Sequence, residues 1–201
     1  MTGRFIVFEG GEGSGKSTQA RILAERLGAE LTREPGATPL GLEVRRFLLD
    51  PETDAVSPRA EALMMAADRA QHVETMIRPT LASGTDVVCD RYLYSSVAYQ
   101  GHGRGLDAEE IRRLSMWATQ ELLPDVVVLI EVPAEVSNRR LGTELDRFEA
   151  ADDGFHERVR AGFRAQAEAD PRRFVVVDGV GTLDEVAQQV FDAVFERIGE
   201  R

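Results

Sequence analysis

The sequence predicts an α/β fold in which a parallel β-sheet of about five strands is covered by helices on both faces. Three observations favour it. Short apolar runs alternate with helical patterns along the whole chain. The apolar runs are continuous, as expected for strands that are buried on both sides. No repeat, low-complexity tract or linker interrupts the 201 residues, so residues 1–201 are expected to form a single domain.

The elements can be placed in order along the chain. The first strand is predicted at residues 4–9, an apolar run that glycines stop, and a helix from Ser17 to Leu27 follows with Gly28 as its C-cap. Later apolar runs predict strands at 29–32, 86–90, 125–132 and 174–177. Apolar residues at helical spacing predict helices at 40–49, 57 to about 81, 93–99, 107 to about 122, 134–141, 150–169 and 182 to about 198.

The longest predicted helix has a clear start and contains a proline. Ser57 and Pro58 have the residue types of an N-cap and a first helical position, and Asp107 and Thr182 are expected to cap two later helices. Pro79 lacks a backbone N–H, so we expect it to kink the long helix or to end it before residue 81.

Composition narrows the possible partners. The net charge of −11 argues against DNA or RNA, because a polynucleotide binder usually presents a basic face. The single cysteine, Cys89, excludes an intramolecular disulfide, and its apolar neighbours predict a buried, inert thiol. We see no signal peptide and no apolar run near the roughly 18 residues of a membrane span, so a soluble, cytoplasmic protein without membrane contact is expected.

The stretch GGEGSGKS, residues 10–17, fits the phosphate-binding pattern G-x-x-x-x-G-K-[ST]. It lies between a predicted strand and a predicted helix, so its backbone N–H groups and the helix N-terminus should hold a nucleoside triphosphate. Lys16 should reach the β- and γ-phosphates, and Ser17 should bind Mg²⁺. The predicted triphosphate-binding residues are Gly10, Gly11, Glu12, Gly13, Ser14, Gly15, Lys16, Ser17 and Thr18.

The loop alone does not choose between kinases, GTPases, transporter ATPases and regulators. No N-K-x-D-type segment for reading guanine is visible, and the chain is too short for a polynucleotide motor. A small kinase fits, and it needs a second pocket for the acceptor. Asp90 ends an apolar run and could hold Mg²⁺ directly or through water, with a helix N-cap or a pair with Arg91 as the alternative.

Four further segments carry a family resemblance. They read TREPGATPLG (residues 32–41), AADRAQHV (66–73), DRYLYSSVAYQG (90–101) and DRFE (146–149). In this order behind a phosphate-binding loop, they strongly resemble the bacterial type of thymidylate kinase. The resemblance implies a three-layer P-loop kinase fold with a short lid, a homodimer, and transfer of the γ-phosphoryl group of Mg·ATP to dTMP, which gives dTDP and ADP.

The resemblance also implies an acceptor site. Arg91 and Arg45 would contact the dTMP phosphate, and Arg69 would lie near a thymine carbonyl. Tyr99 would lie beneath the deoxyribose, where its ring excludes a 2′-hydroxyl. The chain would bend beside the sugar at a cis peptide bond. The implied dTMP-binding residues are Glu34, Pro35, Arg45, Met65, Arg69, Arg91, Ser96, Tyr99 and Gln100.

One position departs from the family pattern. Typical relatives have an aromatic residue two positions before the Ala-Asp-Arg step, where it stacks on thymine, and Met65 takes that place here. A thioether can also pack on a ring face, at about 0.3–1.5 kcal/mol. Plain core packing of Met65 is the alternative, and the departure bears on the tightness of base binding more than on the reaction.

Glu12 is unexpected because a carboxylate that faced the phosphates would repel them. We therefore expect Glu12 to point toward the acceptor, near the 3′-hydroxyl, with a hydrogen bond inside the loop as the alternative. The resemblance places a lid at about residues 137–149 that supplies arginines to the transferring group. Arg147 is the safer match, and the choice between Arg139 and Arg140 is open. The implied catalytic residues are Glu12, Lys16, Arg91, Arg147 and Arg140, with Ser17 and Asp90 as metal ligands.

Two other functions compete with this interpretation. A kinase for a different nucleoside monophosphate would share the loop and the lid. A nucleotide-binding regulator would hydrolyse ATP slowly without an acceptor. The three histidines, His72, His102 and His156, are given no role, and their spacing suggests no zinc site.

Overall fold

The computed structural model describes residues 2–50, 53, 56–141, 146–149 and 151–199. Within these residues, five strands form one parallel sheet in the order β2-β3-β1-β4-β5. This arrangement confirms the predicted α/β class. The strands are β1 (Phe5–Glu9), β2 (Glu30–Arg33), β3 (Val87–Asp90), β4 (Val126–Glu131) and β5 (Phe174–Asp178).

Helices connect the strands and cover the sheet. Among the described helices, none combines the length and the apolar sequence that a bilayer span requires. The helices are α1 (Lys16–Leu27), α2 (Pro39–Leu49), α3 (Pro58–His72), α4 (Arg78–Ala82), α5 (Leu93–Ser96), α6 (Ala108–Ala118), α7 (Ala134–Arg140), α8 (Asp153–Ala169) and α9 (Leu183–Ile198).

The two faces of the sheet bury different cores, because successive side chains of a strand point to opposite sides. Ile6 and Phe8 pack with apolar residues of α1 and α9. Phe5 and Val7 pack on the other face with apolar residues of α8 and of the segment after α3. The middle strand β1 is buried along its whole length, which explains its unbroken apolar run.

The predicted caps are confirmed, but Pro79 does not end its helix. Ser57, Asp107 and Thr182 each accept a backbone N–H three residues ahead, and Gly28 closes α1 in a left-handed conformation. The helical path continues past α3 through a π turn, Val73–Ile77, into α4, where Pro79 lies in the first turn. A missing N–H costs little there, because the π turn before α4 interrupts the regular i to i−4 hydrogen bonds and α4 begins anew after it.

Two other helices differ from the prediction. The helix after β3 changes into a second π turn, Val97–Gly103. Helix α6 ends at Ala118 rather than near residue 122, since Gln120 and Glu121 have φ angles of 50° and 60° and cannot continue a right-handed helix.

Candidate active site

The phosphate-binding loop joins β1 to α1. Gly13 has a φ of 66°, and a Cβ there would lie 2.6 Å from the carbonyl oxygen of Ser137, so only glycine fits. Gly15 occupies the N-cap position of α1 without a side-chain cap, which leaves the first N–H groups of the helix for an anion. Lys16 is buried with its Nζ 3.3 Å from the Gly11 carbonyl oxygen. Ser17 and Thr18 follow in the first turn.

The sheet order brings a second segment to this loop. Strand β1 lies between β3 and β4, and Phe8 is in register with Asp90. The chain leaves β1 and β3 on the same edge of the sheet, so the loop lies beside the tip of β3. In open parallel sheets, the crevice beyond the carboxyl ends of the strands is where ligands bind.

Glu12 is the centre of an ion-pair cluster at this crevice. Its Oε1 lies 2.5 Å from Nη2 of Arg91 and accepts a hydrogen bond of 2.7 Å from the Tyr99 hydroxyl. Its Oε2 lies 3.7 Å from Nζ of Lys16. One oxygen of the carboxylate therefore points out of the loop toward Arg91 and the second π turn.

The charges of the cluster stabilise one another. Burial alone would raise the pKa of Glu12, but Arg91, Lys16 and the Tyr99 hydroxyl outweigh it and lower the pKa to about 2. Burial lowers the pKa of Lys16, with a further contribution from the charge of Arg91. Arg91 is buried as well, yet Glu12 and its other acidic neighbours raise its pKa. The cluster is a preformed set of charges at the point where two phosphate groups would meet.

Arg91 is held in place through Ser95, which is itself hydrogen-bonded to Glu9, a carboxylate that the sequence analysis missed. Arg91 has a φ of 69° and donates to the Gly10 carbonyl oxygen and to Ser95 Oγ. Glu9, the fully buried last residue of β1, accepts from the backbone N–H groups of Tyr92 and Ser95 and from Ser95 Oγ. Burial raises the pKa of Glu9 to about 7 despite these hydrogen bonds.

A cavity of about 300 Å³ opens beside this cluster. All nine residues that the sequence predicts for the acceptor line it, together with Lys16, Ser17 and Asp90. Tyr99 forms one wall, where the rings of Phe148, Phe155 and Phe163 meet it edge-on at 5.8–6.1 Å. Met65 is half-buried at the wall and packs against the core.

The floor of the cavity is a buried hydrogen-bond network. Arg69 is paired with Glu34 at 2.7 Å and donates to Ser96 Oγ at 3.1 Å. The second oxygen of Glu34 lies 3.0 Å from His72 Nδ1, and His72 Nε2 lies 2.7 Å from the Thr32 hydroxyl. His72, to which the sequence analysis gives no role, therefore holds the carboxylate that is paired with Arg69.

The bend after β2 shapes the remaining side of the cavity. The Glu34–Pro35 peptide bond is cis, which confirms the expected geometry. Arg45 on α2 donates to the Pro35 carbonyl oxygen at 3.2 Å, and burial lowers the pKa of Arg45 with a contribution from the charge of Arg33. The guanidinium group of Arg45 therefore lies at the cavity beside the bend.

Asp90 and Ser17 have the chemistry of magnesium ligands. Asp90 Oδ1 is buried and has no hydrogen-bond partner in the described part of the chain, while Ser17 lies exposed at the start of α1. A carboxylate oxygen without a partner and a hydroxyl suit an ion that takes few protein ligands and shares phosphate oxygens. Among the described residues, no group of three or more His, Cys, Asp or Glu residues gathers elsewhere as a metal site.

Arginines approach the loop and the cavity from the lid side. Arg139 and Arg140 are both exposed, and Arg140 donates to the Ser14 and Gly179 carbonyl oxygens at 3.4 and 2.9 Å. Arg147 points instead to Glu61, at 2.8 Å. Of the predicted lid, residues 142–145 lie outside the described residues, and the part before them belongs to α7.

The lid side also contains a second cavity and a residue that the sequence analysis missed. A cavity of about 700 Å³ lies between the loop, α7 and α8. Arg160 on α8 lines this cavity, and its Cγ lies 4.0 Å from the Cβ position of Gly11. A basic residue in a helix with many charged residues gives no sequence signal of such a position.

A phosphate-binding loop that shares an ion-pair cluster with an adjoining cavity is the arrangement of a P-loop phosphotransferase. The family model described as thymidylate kinase matches residues 8–190. The chain therefore belongs to the thymidylate kinase family, an enzyme family whose reaction is phosphoryl transfer to thymidylate. That membership confirms the resemblance inferred from the sequence segments.

Individual relatives agree over nearly the whole chain. The thymidylate kinase of Clavibacter michiganensis is 50% identical over 198 residues, which cover 94% of this chain and 93% of the relative. The thymidylate kinase of an Exiguobacterium strain is 42% identical over 205 residues, 98% of this chain and 97% of the relative. A crystal structure of thymidylate kinase from Ehrlichia chaffeensis superposes with a TM-score of 0.80 at 32% identity, covering 96% of this chain and 99% of that one.

Proposed function

We propose that this chain transfers the γ-phosphoryl group of Mg·ATP to dTMP, with ATP on the loop and dTMP in the 300 Å³ cavity. The observation that carries the proposal is the contact of Glu12 with both Lys16 and Arg91. Lys16 belongs to the triphosphate side and Arg91 to the acceptor side, so the carboxylate marks the line between donor and acceptor phosphates. In-line transfer needs the two phosphates positioned and their charge neutralised.

Each of the nine predicted acceptor residues then has a role in binding dTMP. Arg91 and Arg45 hold the acceptor phosphate, since a guanidinium fork matches phosphate geometry. Arg69, Ser96 and Gln100 face the thymine edge. The remaining contacts lie along the sugar and the base, with Glu34 and Pro35 at the bend, the Tyr99 ring beneath the deoxyribose and Met65 against the face of thymine.

Glu12 takes two roles in this proposal. In the free enzyme it holds Arg91 and Lys16 in place. With both substrates bound, each cation gains a phosphate partner, and the carboxylate becomes available to the 3′-hydroxyl of the deoxyribose. A contact of that kind favours a substrate with this hydroxyl over an analogue without it.

Magnesium and the lid complete the site. Ser17 and Asp90 would hold Mg²⁺, which when bound neutralises charge on the β- and γ-phosphates. Arg140 already contacts the loop backbone, which supports a role on the donor side. Arg147 lies in the segment that flanks the cavity, and its Nε and Nη1 are buried without a partner in the described part of the chain. Those two donors favour a role in phosphate contact when both substrates are present.

We further propose a homodimer that works in the cytoplasm, where its ATP donor is made and used. Leu63 on α3 and Trp117 on α6 are 59% and 79% exposed. These two helices pack against each other, and we propose that their exposed apolar side chains belong to one dimer surface. A second copy of the chain would cover it.

The experiment is a coupled assay of ADP release with Mg·ATP and each common nucleoside monophosphate in turn. We expect turnover of dTMP well above that of dUMP, dCMP, dGMP, AMP and UMP. The Lys16→Ala variant should lose turnover yet still be stabilised by dTMP in thermal unfolding, because Lys16 serves the donor. A rate with dTMP equal to that of ATP alone would favour a regulator without an acceptor.

A further inference from the structure

Glu61 on α3 has no assigned role, although it lies at the centre of a buried cluster. Its side chain is fully buried, yet it bears a carboxylate. It accepts a hydrogen bond of 3.0 Å from Gln100 Nε2, two of 3.2 Å from Arg104 and one of 2.8 Å from Arg147. A fully buried carboxylate is costly unless it is paired and hydrogen-bonded, and both guanidinium groups meet that need.

The contact with Gln100 determines which end of its amide is hydrogen-bonded and which end is left without a partner. A carboxylate only accepts hydrogen bonds, so the NH₂ group of Gln100 must be the end that faces Glu61. Gln100 lines the cavity, whereas Glu61 does not. The oxygen, Oε1, is buried and has no hydrogen-bond partner among the residues that the structure describes. The amide of Gln100 therefore keeps a free acceptor on a side chain that lines the cavity.

An acceptor here discriminates between pyrimidine bases. Thymine presents the N3–H donor between two carbonyl oxygens, whereas cytosine presents an N3 acceptor next to an amino group. An acceptor on Gln100 pairs with the first pattern and opposes a lone pair of the second. Arg69, whose Nη2 donates to Ser96 Oγ, also lines the cavity. Its N–H groups suit a carbonyl oxygen of the base.

We propose that Glu61 is a positioning residue for base specificity, which holds the Gln100 oxygen toward the base so that an imide N–H is accepted and a cytosine-type N3 is refused. The inference rests on the proposed function, since it requires dTMP in this cavity. An amide next to a neutral group can rotate and present either end. The carboxylate of Glu61 removes that freedom.

The test compares dTMP with 5-methyl-dCMP, which has the same shape and differs only in the pattern of donors and acceptors. In the wild type, kcat/KM for dTMP should exceed that for 5-methyl-dCMP by at least about 100-fold, and a smaller ratio overturns the proposal. This part needs no folded variant. In Glu61→Gln, the Gln100 amide is free to rotate, and the ratio should fall about tenfold.

Arg104→Gln is the matched control, because it removes two hydrogen bonds from the same carboxylate and leaves the Gln100 contact in place. Its ratio should stay within about twofold of the wild type, and a fall equal to that of Glu61→Gln would mean that general loosening is the cause. If the wild type turns over neither nucleotide, the proposed function fails as well. If it is selective and Glu61→Gln keeps the full selectivity, only the role of Glu61 is refuted.

Discussion

Arg91 Nη2 lies 2.5 Å from Oε1 of Glu12, and this ion pair joins the phosphate-binding loop to the tip of β3. The same carboxylate oxygen accepts from the Tyr99 hydroxyl, and the other oxygen lies 3.7 Å from Lys16 Nζ. One carboxylate of the loop therefore holds groups from both of the proposed substrate sites. A change at Glu12 should affect phosphate binding on each side of the reaction.

The substitution Glu12→Gln tests this relationship. It keeps the size of the side chain but removes the charge that compensates Arg91 and Lys16, so the two cations repel each other without screening. We expect kcat/KM for dTMP to fall about 100-fold, which corresponds to about 3 kcal/mol. Steady-state kinetics measure it. Glu43→Gln, at an exposed ion pair with Arg46, should change the rate by less than about twofold, and equal rates for both variants would contradict the assignment.

The residues that sequence could predict are those that lie in local motifs. The loop, the segment around Glu34 and Pro35, and the stretch from Asp90 to Gln100 each gather their functional side chains within a few positions, and all line the loop or the cavity. A short motif fixes local backbone geometry, which then aims its own side chains. These segments account for the cis bond and for six of the nine proposed acceptor residues that line the cavity: Glu34, Pro35, Arg91, Ser96, Tyr99 and Gln100.

The residues that sequence could not predict have partners that are distant in the chain. Glu61 and Arg147 are 86 positions apart, as are Glu9 and Ser95, and His72 is 38 positions from Glu34. Their contacts depend on the packing of helices against the sheet, which no local pattern encodes. The one available signal for Glu9 was a carboxylate that ends an apolar strand directly before the loop.

Met65→Phe should tighten the binding of dTMP. Met65 lines the cavity at the place where typical relatives have an aromatic residue, and a ring stacked on thymine gains about 0.5–1.5 kcal/mol beyond area burial. We expect the Kd for dTMP, from calorimetric titration, to fall about threefold to tenfold with kcat little changed. An unchanged or higher Kd would mean that Met65 packs on the core and not on the base.

Leu63→Glu should convert the proposed dimer into a monomer. Leu63 is 59% exposed on α3, and a charge placed there in the proposed apolar interface would be desolvated without a partner. Sedimentation velocity should give about twice 22.2 kDa for the wild type and 22.2 kDa for the variant. Leu183→Glu is the matched control, because Leu183 is 53% exposed on α9 at the opposite face of the sheet, and it should leave the mass unchanged.

Glu9 should make the stability of the protein fall as the pH rises. Burial raises its pKa from 4.5 to about 7, so the folded state holds this proton more tightly than the unfolded state. Its contribution to stability is complete below pH 4.5 and is lost as the pH rises to about 7. The loss amounts to about 3 kcal/mol.

The variant Glu9→Gln removes this titration and keeps an acceptor for the backbone N–H groups of Tyr92 and Ser95. Urea unfolding at pH 5, 6.5 and 8, with neither nucleotide nor Mg²⁺, should give a difference between wild type and variant that shifts in favour of the variant by about 3 kcal/mol at the highest pH. Asp68, whose pKa burial raises to about 6, acts in the same direction but is present in both proteins, so it cancels in the difference. Parallel stability curves would mean that Glu9 stays ionised in the folded state, with the turn after β3 held by a charge instead of by a protonated carboxyl group.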